Sequence, residues 1–418
     1  MADQNYNRWL ILIAAIASNI CIGTLYAWSD FANPLGHLFG WAPPALALVF
    51  TINHGLSPVA STIGGFIQDK IGARNGMIIG GLMFTLGLYL SGTVSQVGSL
   101  YLTYSVLAGT GGAIIYCANL GNTVKFFPDK RGLASGLCAA GYGCGAMIVA
   151  PIASGLIIKY GVLATFQILG GAFFVIIAIC AMLVKRAPAG YKPAGWVPPA
   201  VSVNKTSVVD VIWHKMIRDV VWWSVLMMMF CGTMSGLMIL AHASPIGQLM
   251  YELTPMKAAF FVSIITLANA LGRIGFGSLS DKIGRSNTIM VMYIISAVSL
   301  FNLTFTGNLY GFVASGVGVG AVFGGFMGTM PTIISERYGL KNFGVNYGIT
   351  FIGLSMAALT GPLTAAKVRV ATGTYDKAFL IALGVNIAGL VFAAIYRTLD
   401  KRSTDSAPVR AASALNAK

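Results

Sequence analysis

Arg273 is the residue whose placement demands a chemical explanation. It sits in an apolar stretch, LANALGRIGFG over 267–277, that contains no acidic residue. A guanidinium stays charged at every relevant pH and presents a planar fork that grips a carboxylate through two parallel hydrogen bonds. Keeping one near the middle of a membrane helix costs about 2.5–3.5 kcal/mol even on lenient insertion scales. Three arrangements meet that cost: an anionic ligand, a buried acid, or snorkelling to the interface. The chain has 12 Asp and Glu, and none falls in the central turns of an apolar run; Asp30 and Glu252 lie near the ends of theirs. The ligand reading is favoured, and the matching functional group is a carboxylate.

Other polar side chains share this setting. His54, close to the middle of its run, and His242 and Asp30, towards the ends of theirs, are the groups able to exchange a proton. Asn53, Asn119 and Asn269 either line a polar cavity or hydrogen-bond between helices, because an unsatisfied amide in hydrocarbon is costly. Tyr116 and Tyr142 lie too deep in their runs to serve as interfacial anchors, the usual role of a membrane tyrosine. Tyr347 begins its run and reads as a gate or an ordinary anchor. Cys21, Cys117, Cys138, Cys144, Cys180 and Cys231 all fall in apolar stretches without CxxC or metal-ligand spacing, so neither a disulfide framework nor a metal site is expected. HExxH, a phosphate-binding glycine loop and a Cys/His cluster are all missing from the sequence, and no enzyme or cofactor is expected.

The elements that must position these groups are membrane helices. Of 418 residues, 56% are hydrophobic and 9% charged, against about 25% charged in a soluble domain. Runs long enough to span hydrocarbon, roughly 20 residues each, occur at about 9–31, 44–68, 75–95, 98–124, 132–158 and 162–185, then 219–245, 257–280, 286–306, 308–335, 343–366 and 375–397. Twelve spans place both termini on one side. Loops on that side carry 21 of the 27 Lys and Arg, those on the other side 5, and Arg273 is the remainder. By the positive-inside bias both termini are cytoplasmic, and the net charge of +15 reflects topology rather than nucleic-acid binding. No cleavable leader is evident before Trp9. The segment 186–218, rich in Pro and Lys, reads as a cytoplasmic linker between an N-terminal half (1–185) and a C-terminal half (219–400). Residues 207–218 suit a short amphipathic helix, and 401–418 reads as a disordered tail.

The halves are copies. Asp69-Lys70-Ile71-Gly72 recurs as Asp281-Lys282-Ile283-Gly284, 212 positions on, and Gly65 recurs as Gly277 at the same offset. Gly132 and Gly136 match Gly344 and Gly348, again 212 apart. Parallel duplication of a six-helix unit is a transporter architecture. Ser61 is the repeat partner of Arg273, so the arginine marks a departure from symmetry.

The segments GFIQDKIGARN and GSLSDKIGRSN resemble the loop signature of the major facilitator superfamily. FFPDKRGLASGLCAAGYG (126–143), TLYAWSDFANP (24–34) and NALGRIGFGSLSDKIGR (269–285) are similar to its monocarboxylate transporter and oxalate/formate antiporter branch, bacterial members included. The resemblance covers both halves. It implies an all-α fold of two pseudo-symmetric six-helix bundles, with Tyr116 and Tyr142 lining the substrate cavity. Gly65, Asp69, Lys70, Arg74, Asp129, Arg131, Gly277, Asp281 and Arg285 would form the cytoplasmic gate. Two departures bear on substrate. Oxalate-exchanging members carry a lysine in the eleventh helix, where this chain has Thr350, and 343–366 contains no Lys or Arg. Proton-coupled animal carriers have an aspartate one turn before the arginine, where this chain has Asn269.

The expectation is a monomeric transporter of the bacterial inner membrane that moves a small monocarboxylate such as lactate, pyruvate or a short-chain acid. Substrate would bind through Arg273, Tyr116, Tyr142, Asn119 and Tyr347, by alternating access and with a proton as coupling ion. Carboxylate exchange of the oxalate/formate type is the alternative, and a non-transporting membrane ligand sensor a remote one.

Overall fold

A computed structural model describes residues 7–188, 190–193, 196, 210–305 and 308–405. Twelve long helices account for nearly all of them: α1 (Arg8–Phe39), α2 (Pro43–Ile71), α3 (Ala73–Ser91), α4 (Val97–Phe126), α5 (Arg131–Tyr160), α6 (Val162–Leu183), α7 (Val220–Met250), α8 (Pro255–Ile283), α9 (Arg285–Phe305), α10 (Leu309–Tyr338), α11 (Phe343–Thr372) and α12 (Asp376–Asp405). Eleven are long and apolar enough to cross a bilayer. The other, α3, has 19 residues, about 28 Å of helix at 1.5 Å per residue. They form two six-helix bundles, α1–α6 and α7–α12, and each span corresponds to one expected from the sequence.

Helix ends follow local chemistry. Proline opens both α2 and α8, where a missing amide hydrogen costs nothing. Asn7, Asp219 and Asn308 accept backbone amides at the starts of α1, α7 and α10. The tight turns from α2 to α3 and from α8 to α9 pass through Gly72 (φ 92°) and Gly284 (φ 86°), a backbone region closed to most side chains. These are the repeated glycines of the DKIG motif.

Several elements exceed the sequence expectation. Helix α1 runs eight residues past 31, with a tighter 3₁₀ stretch at Gly23–Ala27, and α7 extends to Met250. Helix α12 continues to Asp405, beyond the boundary placed at 400; residues 406–418 lie outside the described residues, as do 197–209 of the linker. The amphipathic helix expected over 207–218 is reduced, in its described part, to the single turn Trp213–Met216. The reason is competition from docking. The Asp210 carboxylate accepts the Lys341 amide at 2.9 Å, the Val211 amide donates to the Tyr338 carbonyl at 3.0 Å, and the Asn346 side chain donates to the Val211 carbonyl at 2.9 Å. The linker's end is thereby strapped to the α10–α11 turn.

The bundles meet through two crossings related by the repeat, α2 on α11 and α5 on α8. A methyl group added to Gly65 would collide with Gly344 backbone, and one on Gly132 with the Gly277 carbonyl. Only glycines allow this approach. At the end of the molecule that carries the termini, each crossing is locked by a carboxylate of one bundle on a helix start of the other. Asp69 accepts the Gly344 and Val345 amides of α11 at 3.2 and 3.1 Å, and Asp281 accepts the Gly132 and Leu133 amides of α5 at 2.9 Å each. Amides at a helix start lack intrahelical partners and carry positive partial charge, so the carboxylates satisfy both deficits. Lys125 stands 3.7 Å from Asp69; Arg285 binds Asp281 at 2.7 Å and Glu336 at 2.6 Å. The termini-bearing end is closed.

A hydrogen bond to a charged group contributes about 1.5–3 kcal/mol. Asp281→Ala is expected to speed amide hydrogen exchange at Gly132 and Leu133 at least roughly tenfold while leaving Gly344 and Val345 much less affected. Equal protection of residues 132–133 in variant and parent would contradict the lock.

Candidate functional site

Arg273 lies at the seam between the bundles and is 1% exposed. Its Nε donates to Asn269 Oδ1 one turn earlier at 3.1 Å, and its Nη1 crosses to the Ala139 carbonyl of α5 at 2.8 Å. The guanidinium lies flat against α5 because residue 143 is glycine: a Cβ there would stand 3.0 Å from Nε and 3.1 Å from Cζ. Asn269 is anchored in turn, its amide directed to the Gly320 carbonyl of α10 at 3.4 Å. The two acceptors are neutral and occupy part of the guanidinium's five-donor capacity. No carboxylate among the described residues pairs with Arg273.

What surrounds the cation is aromatic. Tyr26 of α1, Tyr116 of α4, Tyr142 of α5 and Tyr347 of α11 all lie within its electrostatic reach, and Tyr26 interacts directly with both Arg273 and Tyr142. Ring centroids are 4.9 Å apart for Tyr26 and Tyr142, 5.4 Å for Tyr116 and Tyr142, 5.9 Å for Tyr116 and Phe351, and 5.1 Å for Tyr347 and Phe351. Five helices from both bundles therefore contribute to one cage. Tyr26 and Tyr142 remain partly accessible, whereas Tyr116 and Tyr347 are buried, their hydroxyls close to each other and without any other hydrogen-bond partner among the described residues. Two hydroxyls that have only each other leave donor and acceptor capacity over, which a ligand oxygen would fill.

His54 joins the rim of the cage, its ring 5.7 Å from Tyr26 and stacked on Phe50 at 3.9 Å. Its Nδ1 faces the Phe50 carbonyl at 3.1 Å. A carbonyl only accepts, so Nδ1 carries the hydrogen and Nε2 is the basic nitrogen. The other proton-exchange candidates lie apart. His242 sits in a separate cluster near the opposite end of the second bundle, between the Pro362 carbonyl (3.1 Å) and the Tyr375 hydroxyl (3.3 Å), with Arg369 3.2 Å beyond. Asp30 is half-buried on the outer part of α1 and makes no ion pair among the described residues.

Asn119 is drawn away from the cage. Its amide donates to Ser18 Oγ and Asn19 Oδ1, both at 2.8 Å, while Asn19 donates to the Cys138 carbonyl at 2.8 Å. That knot ties α1, α4 and α5 together inside the first bundle. Of the expected gate residues, Gly65, Asp69, Gly277, Asp281 and Arg285 take part in the locks. Arg131 lies beside Asp281, Glu336 and Arg285 with its buried Nε unpartnered. Asp129 pairs with Arg8 within the first bundle at 2.5 Å. The Lys70 ammonium rests over the Phe66 ring at 4.3 Å, and Arg74 faces a groove against α6, so neither crosses the seam.

Tyr26 and Phe351 are the cage members that sequence reasoning passed over. With α1 ending near 31, Tyr26 stood five residues from a helix end, where a tyrosine is an ordinary anchor. The continuation to Phe39 puts it near mid-helix. Among the described residues, no group of His, Cys, Asp or Glu is placed to hold a metal ion.

The family model for the Major Facilitator Superfamily matches residues 8–362 and 266–415. The uncharacterized MFS-type transporter YhjX of Escherichia coli (strain K12) is 30% identical over 363 residues, covering 86% of this chain and 88% of that one. The oxalate:formate antiporter of Oxalobacter formigenes is 30% identical over 381 residues, 90% of this chain and 88% of that one. Human monocarboxylate transporter 12 is 25% identical over 365 residues, 80% and 69% of the two chains. Among solved structures, the proton:xylose symporter XylE superposes with a TM-score of 0.72 at 13% identity, covering 94% and 96%. FucP in its outward conformation gives 0.71 at 14%, covering 92% and 98%. Two six-helix bundles, a duplicated DKIG lock at the seam and these matches agree: the chain is a multi-pass membrane transporter, not an enzyme, and belongs to the Major Facilitator Superfamily, in the branch of the oxalate:formate antiporter and the monocarboxylate transporters.

Proposed function

We propose that this protein carries a small monocarboxylate, such as lactate, pyruvate or a short-chain acid, across the bacterial inner membrane, with both termini in the cytoplasm. The observation that carries the reading is Arg273, a buried cation at the seam with neutral acceptors and no carboxylate partner among the described residues. Leaving a charge buried and unpaired costs about 3–5 kcal/mol; a substrate carboxylate removes that cost. Tyr26 and Tyr142, on the accessible side of the cage, would be first to meet the substrate, and the Tyr116 and Tyr347 hydroxyls offer hydrogen bonds to its remaining oxygens.

The same geometry suggests how binding and movement are linked. Nη1 of Arg273 bonds across the seam to the Ala139 carbonyl. A carboxylate that takes over this donor exchanges a tie between bundles for a tie to substrate, and the bundles are then free to rock once the Asp69 and Asp281 locks release. Proton symport makes the cycle electroneutral, and His54, with Nε2 basic beside Tyr26, is the proton acceptor nearest the cage.

Exchange of one carboxylate for another is the second reading, favoured by the likeness to the oxalate:formate antiporter. Against a dianion stands position 350, where the Thr350 hydroxyl is held by Trp222 at 3.2 Å and bonded to the Asn346 carbonyl at 2.8 Å. One cation balances one carboxylate.

Uptake of labelled lactate into proteoliposomes under an inward proton gradient is expected to fall about 100-fold or more in Arg273→Ala, as befits loss of a charge-assisted bidentate pair of roughly 3 kcal/mol, with partial recovery in Arg273→Lys. Unchanged uptake in Arg273→Ala sinks the carboxylate assignment. Uptake that ignores the proton gradient yet requires internal carboxylate selects exchange over symport. Tyr26→Phe removes one hydroxyl next to the cation and is expected to raise KM by roughly three- to tenfold with kcat less changed; an unaltered KM would remove Tyr26 from the substrate path.

A further inference from the structure

On the outer face of the first bundle, α3 and α6 leave a groove of about 240 Å³, walled by Met77, Ile78 and Leu82 on one side and by Phe174 and Met182 on the other. Its floor is low because residue 81 is glycine, packed directly on Ile177. Arg74 stands at the mouth, at the termini-bearing end, exposed and in no ion pair or hydrogen bond among the described residues. From Arg74 to Leu82 the helix rises about 12 Å, the depth from a headgroup into the hydrocarbon of one leaflet.

The repeat provides an internal control. Residues 212 positions on from Gly81 and Ile177 are Tyr293 and Gly389, and these two are again in contact, with the large and small partners exchanged. In the second bundle the Tyr293 ring points into the bundle: it is fully buried, donates to the Met228 carbonyl of α7 at 2.7 Å and packs against Phe326 of α10. The counterpart of Arg74 there is Ser286. The glycine floor and the exposed arginine of α3 thus occur together in the first bundle and are both replaced at the matching positions of α9, where the cation against the corresponding wall residue Met290 is Arg397 of α12, at 3.4 Å.

We propose that the α3–α6 groove is a binding site for an anionic diacyl phospholipid, one acyl chain lying in the groove and the headgroup phosphate on Arg74. The surroundings complement a negative headgroup. Arg186 packs against Gly72, and the start of α3 has no side-chain cap, leaving amide donors and positive partial charge at the same level. Asp69, the acid closest in sequence, is turned away into its lock on α11.

The test uses the full chain, delipidated in mild detergent and titrated with phosphatidylglycerol or phosphatidylcholine of identical acyl chains, with retained lipid counted by native mass spectrometry. The expected result is one phosphatidylglycerol retained with about tenfold preference over phosphatidylcholine, the scale of one charge-assisted contact. Arg74→Gln should abolish the preference. The paired change Ala178→Leu with Ala181→Leu, which fills the groove from its α6 wall, should exclude both lipids with Arg74 intact. Equal retention of the two lipids by the parent protein, or an undiminished preference in Arg74→Gln, overturns the proposal. The Arg74→Gln arm decides the matter even if the paired variant does not fold.

Discussion

The structure is organised around an electrostatic debt: a guanidinium held in the membrane-spanning region without a counter-charge among the described residues. Asn269 and the Ala139 carbonyl hold its direction but not its charge. Glycine at 143 lets it lie against α5, and tyrosines from four helices shut it away from bulk water. A fully paired arginine would be a structural pin; an arginine satisfied by neutral groups alone is poised for an anion. The site spans both bundles, so its occupancy bears on how they sit together.

Duplication supplies the rest. The same crossing, with the same glycines and the same carboxylate on a helix start, is built twice, at α2–α11 and at α5–α8. These locks suit a moving machine. Each couples rigid backbone amides to one short side chain, so few rotatable bonds are fixed in making it. The accessory cations differ between copies, a single lysine at Asp69 and an arginine bridging two acids at Asp281, so the two locks are unequal in strength. The proposed carboxylate and lipid sites both rest on departures from the repeat: Arg273 opposite Ser61, and Gly81 opposite Tyr293.

The sequence announced the fold and the cation, because both are one-dimensional signals. Apolar runs count helices, charges in loops orient them, and the 212-residue offset exposes the duplication. Arg273 stood out as a charge where none belongs. The cage around it was only partly legible. Tyr116 and Tyr142 stand out by depth and motif, Tyr347 only as a gate or an ordinary anchor at the start of its run, and Tyr26 is hidden by the underestimated length of α1. Asn119 looked as eligible as the tyrosines. Its partners Ser18 and Asn19 lie about a hundred residues away, and only the packing of α1 on α4 brings them together. Arg74 shared a motif with the gate residues, yet the helical rotation between Asp69 and Arg74 points one at the seam and the other at lipid. Spacing within a loop does not encode that difference; the turn at Gly72 does.

The 3₁₀ stretch at Gly23–Ala27 has a mechanical corollary. Tighter turns with poorer hydrogen-bond geometry make a natural joint in an otherwise stiff rod, and Tyr26 is located within it. Glycines Gly23 and Gly145 clamp the rod to α5 at this level, and the segment beyond is anchored as well, Trp28 donating to the Leu46 carbonyl at 3.1 Å and Phe31 stacking on Phe166. Under the proposed function, a solute that shifts the Tyr26 ring would strain this joint between two anchored segments of α1 rather than swing a free arm.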